Sequence, residues 1–355
     1  MNFAVANLHL GPALSRHSRR VARRRTRGER FDRVERSLEH GLPNLVKGLN
    51  RASGNPLATK PNDNPSIVRL PDETPSNLTL KSSTMKKAPR KNSRFGLGWM
   101  PDLPDNRDHL YSAPLAKLRV LPTKADLRRH CPRVYNQGQI GSCTANAIAA
   151  AIEFDRKKQK LRDFIPSRLF IYYNERSIEH SVPLDNGAQI RDGIKSVAKQ
   201  GACPETEWPY DDTPSDPNTN LWLSGAKPRQ KPPASCYKDA KKFRTVGYQR
   251  VDRMLSQMKG CLADGFPFVF GFTVYESFES AEVARTGVLQ MPKPREGVVG
   301  GHAVLAVGYD DTSERFMVRN SWGASWGKRG YFTMPYSYLL TDNLSDDFWT
   351  IRLVH

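Results

Sequence analysis

The order of apolar patterns after residue 120 limits the folds that this chain can adopt. Three stretches space their apolar residues as amphipathic helices do: 142–160, 166–178 and 188–200. Four later stretches are short, rich in β-branched and aromatic residues and bounded by Gly, Asp or Pro: 266–274, 302–309, 316–319 and 331–334. Helices followed by strands predict an α+β chain with two lobes, a helical lobe over about 121–240 and a β lobe over about 241–355.

Residues 1–95 differ in composition and predict a basic, largely disordered leader. Residues 1–100 contain 20 Lys and Arg against 7 Asp and Glu, so most of the net charge of +19 lies there. Such a segment buries too little apolar surface to offset its chain entropy. Over 95–108, large apolar residues and turn formers occur together, as in an extended segment that docks on a surface. We therefore expect a docking segment over 96–120 and a compact domain from about Leu121.

The sequence leaves the cellular compartment open. No apolar run approaches the roughly 18 residues of a membrane-spanning helix, so we expect a soluble chain without a membrane span. The apolar start at 1–14 precedes the Arg-rich stretch 16–27, which is the reverse of a secretory signal, although an Arg-rich stretch without acidic residues resembles a transit peptide. Residues 1–50 contain only two aromatic residues and no nucleic-acid-binding module, so nucleic acid is not expected as the main partner.

Five cysteines leave at least one thiol unpaired within the chain, because their number is odd. No CxxC pair is present, and we therefore expect neither a metal site nor a cofactor. One or two disulfides remain open among four of the five: Cys131, Cys203, Cys236 and Cys261.

Cys143 stands at the predicted start of the first helix, directly after Gly141 and Ser142. Free backbone N–H groups and the positive end of the helix dipole stabilise a thiolate there, and the thiolate is the nucleophilic form of cysteine. A cysteine on an Ala-rich helix is also compatible with simple burial in the core. Its reactivity therefore depends on whether other residues join it.

His302 and Asn320 lie on two predicted strands that are joined by the polar turn 310–315. If the strands form an antiparallel hairpin centred near residue 311, the two residues face each other, since both lie nine positions from that centre. An amide beside an imidazole fixes the ring orientation and leaves the second ring nitrogen for a thiol. The alternatives are a core histidine and a turn asparagine.

These residues, together with Gln137, resemble the papain family of cysteine peptidases in their order and flanking glycines. The most specific match is Asn320-Ser321-Trp322-Gly323, with a second tryptophan, Trp326, four residues after the first. The resemblance extends over 121–355, and the forms of 137–146 and 98–105 are similar to a bacterial and viral branch. It implies a papain-like fold with an active-site cleft between the two lobes, and cysteine-type endopeptidase activity on a peptide or protein substrate.

The resemblance also implies roles for individual residues. Cys143 would attack the scissile carbonyl, His302 would protonate the leaving amine and Asn320 would orient His302. Gln137 would bind the developing oxyanion, Trp322 would shield the site from water, and Trp326 would line the leaving-group side.

Specificity and inhibition follow from the same resemblance as expectations. Ala303 would lie in the pocket for the second substrate residue before the cut, and we place Asp346 near its floor, although a solvated acid is the alternative. The family is made as inactive precursors, so residues 95–120 are expected to inhibit the domain until they are removed. We expect a monomer. Acyl transfer or peptide ligation by Cys143, and nucleic-acid binding by the leader, are the alternative functions.

Two positions depart from the family pattern. Ile140 stands where the family usually has a cysteine, and Thr144 where it usually has an aromatic residue. One family disulfide is therefore missing, and the start of the helix is expected to pack differently.

Overall fold

The computed structural model describes Ser93 and residues 95–354. These residues belong to one compact unit. The leader predicted over 1–95 lies almost entirely outside the described residues.

Eight α-helices occur in the described part of the chain. They are α1 (Leu115–Leu118), α2 (Cys143–Lys158), α3 (Arg168–Ile178), α4 (Ile190–Gln200), α5 (Ala234–Ala240), α6 (Leu255–Ala263), α7 (Ala281–Thr286) and α8 (Tyr336–Leu340). Short 3₁₀ turns lie at Arg128–His130, Lys227–Arg229 and Glu276–Glu279.

Local signals explain where the long helices begin and end. Ser167 caps α3, because its hydroxyl accepts the N–H of Phe170 at 3.2 Å. Gly201 ends α4 with a positive φ of 80°, which glycine adopts without steric cost. Ser142 stands at the N-cap position of α2, but its side chain makes no cap hydrogen bond. Its hydroxyl instead contacts that of Tyr210 at 2.6 Å.

Ten strands occur in the same residues. They are β1 (Trp99–Met100), β2 (Leu110–Tyr111), β3 (Lys124–Asp126), β4 (Ala188–Gln189), β5 (Thr245–Val251), β6 (Phe268–Tyr275), β7 (Val298–Asp310), β8 (Arg315–Arg319), β9 (Tyr331–Pro335) and β10 (Ser345–Val354). Seven form one sheet in the order β2-β5-β10-β6-β7-β8-β9, and β3 pairs with β7 as its eighth strand. The pairings are antiparallel except for β2 with β5. β1 and β4 form a separate parallel pair.

Two apolar clusters account for most of the core. The first lies within the strand-rich part and contains the aromatic residues of β6 together with Phe316, Phe332 and Phe348. The second joins α2, α3 and α4 to one face of the sheet, where Ile148 of α2 and Leu305 of β7 belong to the same cluster. The long helix α2 therefore packs across β7 and β10, which fixes its first residue beside the sheet.

The α+β fold agrees with the prediction. The sequence patterns located α2, α3, α4 and the strands β6 to β9, but they missed β5 and β10. Both of these strands carry register shifts, so their apolar residues do not alternate regularly. Among the described residues, no helix combines the length and apolarity needed to cross a membrane. All five cysteines are unpaired thiols in this structure.

Candidate active site

The start of α2 is held by a buried carboxylate. Asp185 accepts the backbone N–H of Gly141 at 2.9 and 3.1 Å and the hydroxyl of Tyr172 at 2.5 Å. A Cβ on Gly141 would press against this carboxylate, so the turn before the helix requires a small residue. Cys143 is the first residue of α2 and is fully buried. Its position is thus set by contacts of its neighbours and not by its own packing alone.

His302 and Asn320 meet through a hydrogen bond. The Nε2 atom of His302 lies 2.8 Å from the Oδ1 atom of Asn320, and the same Oδ1 atom accepts the N–H of Ser321 at 2.8 Å. The other ring nitrogen of His302, Nδ1, has no hydrogen-bond partner among the described residues. The hairpin centre lies near residue 312 and not at the predicted residue 311, because Leu305 pairs with Arg319 and Ala306 pairs with Val318. The two side chains nevertheless come together, because Asn320 lies just past the end of β8.

Aromatic rings enclose this pair. The ring of Trp322 stacks on His302 with centroids 4.9 Å apart and an interplanar angle of 29°. Trp326 packs edge-on against Trp322 at 5.2 Å, and Phe278 contacts both tryptophans. The His302–Asn320 hydrogen bond is therefore shielded from water, which strengthens it.

Gln137 is oriented by the residue that follows Asn320. Its Oε1 atom accepts the hydroxyl of Ser321 at 2.6 Å, and its backbone N–H donates to the Ser321 carbonyl at 2.8 Å. The side-chain nitrogen then faces the opposite way and donates to the carbonyl oxygens of Gly96 at 2.8 Å and Ile140 at 3.1 Å. These contacts join the loop before α2 to the end of β8. They also direct the side-chain N–H groups of Gln137 toward the segment that contains Gly96.

The cleft is occupied by residues 95–100 of the same chain. The backbone N–H of Gly98 faces the sulfur of Cys143 and acts to lower the pKa of this thiol, and the Gly98 carbonyl accepts the N–H of Ala188 at 2.7 Å. A Cβ on Gly98 would overlap with the carbonyl oxygen of Gly141. Phe95 stacks on the outer face of Trp322 with centroids 4.3 Å apart. The close contact of residue 98 with the Gly141 backbone is possible only for glycine, because glycine has no Cβ.

Trp99 fills a pocket between strands β6 and β7. Its ring lies directly over Gly271, and its carbonyl oxygen and the edge of its ring lie over Gly301, so a Cβ at either glycine would collide with Trp99. The indole N–H donates to the Oδ2 atom of Asp347 at 3.0 Å. Ala303, which is buried beside Gly271 in the sheet, lies in this same region.

The acid beneath Trp99 is Asp347, and the structure does not place Asp346 there. The side chain of Asp346 is 44% exposed and forms ion pairs with Arg250 and Arg253 at 3.2 and 3.0 Å. Asp347 has a positive φ of 58°, and β10 loses its regular register after residue 346. This irregularity turns Asp347 inward, so strand alternation could not have identified it.

Residues 102–108 hold the segment through charged groups. The backbone N–H of Asp102 donates to Asp347 at 2.8 Å, and the Asp102 carboxylate accepts the indole N–H of Trp349 at 2.9 Å. Asp108 forms a buried ion pair with Arg191 at 2.5 Å. The prediction of a docking segment indicated this region, whereas the individual partners were not readable from the sequence.

Burial keeps both Cys143 and His302 uncharged while residues 95–100 lie against them. Desolvation raises the pKa of the Cys143 thiol to about 12, although backbone N–H groups partly oppose the shift. Desolvation also lowers the pKa of His302 to about 4, with a smaller opposing effect from Asn320. With the segment in the cleft, the thiol and the imidazole are therefore both neutral near pH 7.

Comparison with known proteins agrees with this geometry. The family model described as papain family cysteine protease matches residues 121–339. The chain belongs to the papain family of cysteine proteases. It is a cysteine peptidase, as predicted.

Two relatives of the papain family resemble the chain over most of their lengths. An uncharacterized peptidase C1-like protein of Acanthamoeba polyphaga mimivirus is 43% identical over 282 residues, which is 72% of this chain and 86% of the relative. The crystal structure of xylellain, a cysteine protease from Xylella fastidiosa, shares 49% identity and a TM-score of 0.71, over 75% of this chain and 98% of that one. A procathepsin B of Trypanosoma congolense, at 18% identity and a TM-score of 0.54 over 68% and 81% of the chains, shares the fold.

The two departures from the papain-family pattern have structural replacements. Ile140 is fully buried in the helical cluster. Thr144 donates its hydroxyl to the buried carboxyl of Glu175 at 2.9 Å, and burial keeps the pKa of Glu175 well above its ordinary range. Thr144, the second residue of α2, thus contacts a neutral carboxylic acid, whereas the family usually has an aromatic ring at this position.

Proposed function

We propose that this papain-family chain hydrolyses peptide bonds through a thiolate of Cys143, with His302, Asn320 and Gln137 as its partners. His302 would take the thiol proton through Nδ1 and return it to the leaving amine, while Asn320 holds Nε2. The resulting acyl-enzyme would be released by water. The Gln137 amide and the backbone N–H of Cys143 would bind the developing oxyanion.

One observation carries this proposal: a single bound peptide contacts both the sulfur and the oxyanion donor. The Gly98 N–H meets the Cys143 sulfur, and the Gln137 amide binds the Gly96 carbonyl. A nucleophile and an oxyanion donor that converge on one extended peptide form the arrangement that acyl transfer needs.

We also propose that residues 95–120 are an inhibitory part of a precursor and that the peptidase domain begins near Leu121. Hydrolysis requires the sulfur to reach the carbonyl carbon whose oxygen the amide holds. Here the amide holds the oxygen of the 96–97 peptide unit, whereas the sulfur faces the N–H of the 97–98 unit. This mismatch explains how the segment could occupy the cleft without being cut.

The first experiment is labelling with an epoxide that alkylates papain-family thiols. A chain that begins at Leu121 should be labelled once, and Cys143→Ala should abolish the labelling. Cys261→Ala is the matched control, because Cys261 is equally buried but lies in α6. Labelling that persists in Cys143→Ala would overturn the assignment of the nucleophile.

The second experiment compares the full chain with the chain that begins at Leu121. On a fluorogenic peptide, the shorter chain should be faster, because the cleft is open and the thiol and imidazole regain water, which lets them form an ion pair. Equal rates for the two chains would contradict the precursor proposal but not the mechanism.

For specificity, we propose that the Trp99 pocket receives the second substrate residue before the cut. Its floor carries Asp347, and its walls are the bare backbone of Gly271 and Gly301. Such a pocket suits a large aromatic side chain with an N–H donor. Peptides with Trp at this position should be cut faster than those with Ala or Val, and the Trp preference over Phe should shrink in Asp347→Ala. A preference for Ala or Val would refute this.

A further inference from the structure

Two cysteines outside the cleft lie against each other in a dry environment. Cys203 follows α4, and Cys236 belongs to α5. Both side chains are fully buried, and their sulfur atoms lie within 4.8 Å of each other. The surrounding side chains form a small apolar cluster: Phe170, Ala240, Trp208 and Tyr237. The proposed peptidase mechanism uses neither thiol.

The backbone on both sides of the pair is fixed. The Cys203 carbonyl accepts the N–H of Ser167 at 2.8 Å, and the Cys236 N–H donates to the Pro233 carbonyl at 3.0 Å. The ligand atoms of Cys203, Cys236 and Glu207 all lie within 4.8 Å of one another. A disulfide has a sulfur–sulfur distance of about 2 Å, so closure requires the sulfurs to approach by at most about 3 Å.

The environment favours a disulfide over a bound metal ion. A metal site would need both sulfurs as thiolates, and burial raises the pKa of both thiols. Glu207, the third available ligand, is exposed. A disulfide is neutral and apolar, so it can occupy the cluster without any buried charge.

We propose that Cys203 and Cys236 are an oxidation site, which closes into an intramolecular disulfide when the chain folds in the presence of a disulfide oxidant such as oxidised glutathione. One cysteine thiolate attacks oxidised glutathione and releases one glutathione thiolate, which leaves a mixed disulfide. The second cysteine thiolate attacks the protein sulfur of this mixed disulfide and releases the second glutathione. Two electrons pass from the cysteines to glutathione, and their two protons go to the released thiolates or to solvent.

The timing follows from burial. Thiol–disulfide exchange requires a thiolate and access to the oxidant, and the folded cluster offers neither. The bond therefore forms before α5 has packed, and the same burial then protects it from reductants.

The disulfide would anchor both ends of residues 204–235, which include the proline-rich loop. Tyr210 of this stretch donates to the Gln137 carbonyl at 2.9 Å and contacts the Ser142 hydroxyl at 2.6 Å. Oxidation at the 203/236 pair would thus stabilise a loop that supports the residues before α2, while Cys143 must stay reduced. The proposal does not depend on the peptidase mechanism.

The experiment uses the full chain carrying Cys143→Ala, refolded with mixed oxidised and reduced glutathione. After alkylation under denaturing conditions, digestion and mass spectrometry should find one cross-linked pair of peptides, joined by Cys203 and Cys236. Compared with the reduced sample, the midpoint of thermal unfolding should rise by about 5–10 °C. Both effects should be absent in Cys236→Ala and retained in Cys131→Ala.

Three results would overturn the proposal. The first is full alkylation of Cys203 and Cys236 after oxidative refolding. The second is a disulfide that joins either cysteine to a different one. The third is one zinc ion per chain that Cys236→Ala removes, because the pair would then serve a metal. The peptide mapping needs no cysteine variant at the pair, so a variant that fails to fold does not decide the outcome.

Discussion

The two halves of the cleft segment bind the same domain by different physical means. Residues 95–100 lie on it through backbone contacts and aromatic rings, with Gly98 against Gly141 and Trp99 over Gly271. Residues 102–108 bind it through carboxylates, with Asp108 paired to Arg191. The first half depends on shape and occupies the positions where chemistry would occur. The second half depends on charge and holds the first in place.

This difference makes the two halves sensitive to different changes. A tight backbone contact fails completely when a side chain is added, because neither backbone can move far. An ion pair loses only part of its free energy when one charge is removed, and the loss depends on how deeply the pair is buried. The contribution of each half can be measured with a synthetic peptide of residues 93–120 that inhibits the chain that begins at Leu121. The measured quantity is the change in the inhibition constant when a residue of that half is substituted.

The largest effect is expected from the shape-dependent half. Gly98→Val in the peptide should raise its inhibition constant about a thousandfold, equivalent to about 4 kcal/mol, because the new side chain overlaps with the Gly141 backbone. Leu103→Ala is the control, since Leu103 is 70% exposed. An inhibition constant for Gly98→Val that stays close to that of the unchanged peptide would show that the segment does not lie in the cleft this way.

A smaller effect is expected from the charged half. Asp108→Asn in the peptide should raise the inhibition constant about thirtyfold, equivalent to about 2 kcal/mol, because it leaves the buried Arg191 without its carboxylate. Asp105→Asn is the matched control, because the partners of Asp105, Arg107 and Lys195, are exposed and its pairs are screened. Equal effects of the two substitutions would contradict the assignment of the anchor.

Where the halves meet, inhibition should depend on pH. Burial and the nearby Asp102 raise the pKa of Asp347 to about 7 when the segment is bound, with Asp346 adding to the shift and Arg250 opposing it. The ordinary carboxyl pKa is about 4, so binding takes up a proton between these values, and inhibition is strongest below that range.

The inhibition constant should therefore rise up to about tenfold per pH unit between pH 5 and 6.5 and level off above pH 7. Asp347→Asn should flatten this dependence, since an amide does not titrate. A pH dependence that is the same in both proteins would assign it to other groups.

The smallest effect concerns Ser321, the residue that joins the proposed oxyanion donor Gln137 to the end of β8. Ser321→Ala removes the hydroxyl that holds Oε1 of Gln137. We expect kcat of the chain that begins at Leu121 to fall about threefold to tenfold, equivalent to about 1 kcal/mol, with little change in KM. Gln137→Ala should lower kcat further, and adding Ser321→Ala to it should then have no additional effect. Additive losses would show that Ser321 acts independently of Gln137.

The sequence by itself determined the α+β class, the helix that starts at Cys143 and the hairpin of His302 and Asn320, and it predicted a docking segment before Leu121. These features follow from local periodicity, turn residues and motif order, which are all encoded over short distances. The contacts of Gln137 with Ser321 were not visible, because the two residues are 184 positions apart.

Only the tertiary structure decided which acid lies beneath Trp99. Regular strand alternation would put Asp346, which pairs with Gly271, and Asp347 on opposite faces of the sheet, but a backbone irregularity with a positive φ turns Asp347 toward Trp99. The tertiary structure also brought Trp99, Gly271 and Gly301 together from distant parts of the chain. The physical reason is the same in both cases, since side-chain burial is set by the packing of whole elements, and a local pattern records only which face each residue would occupy if its strand were regular.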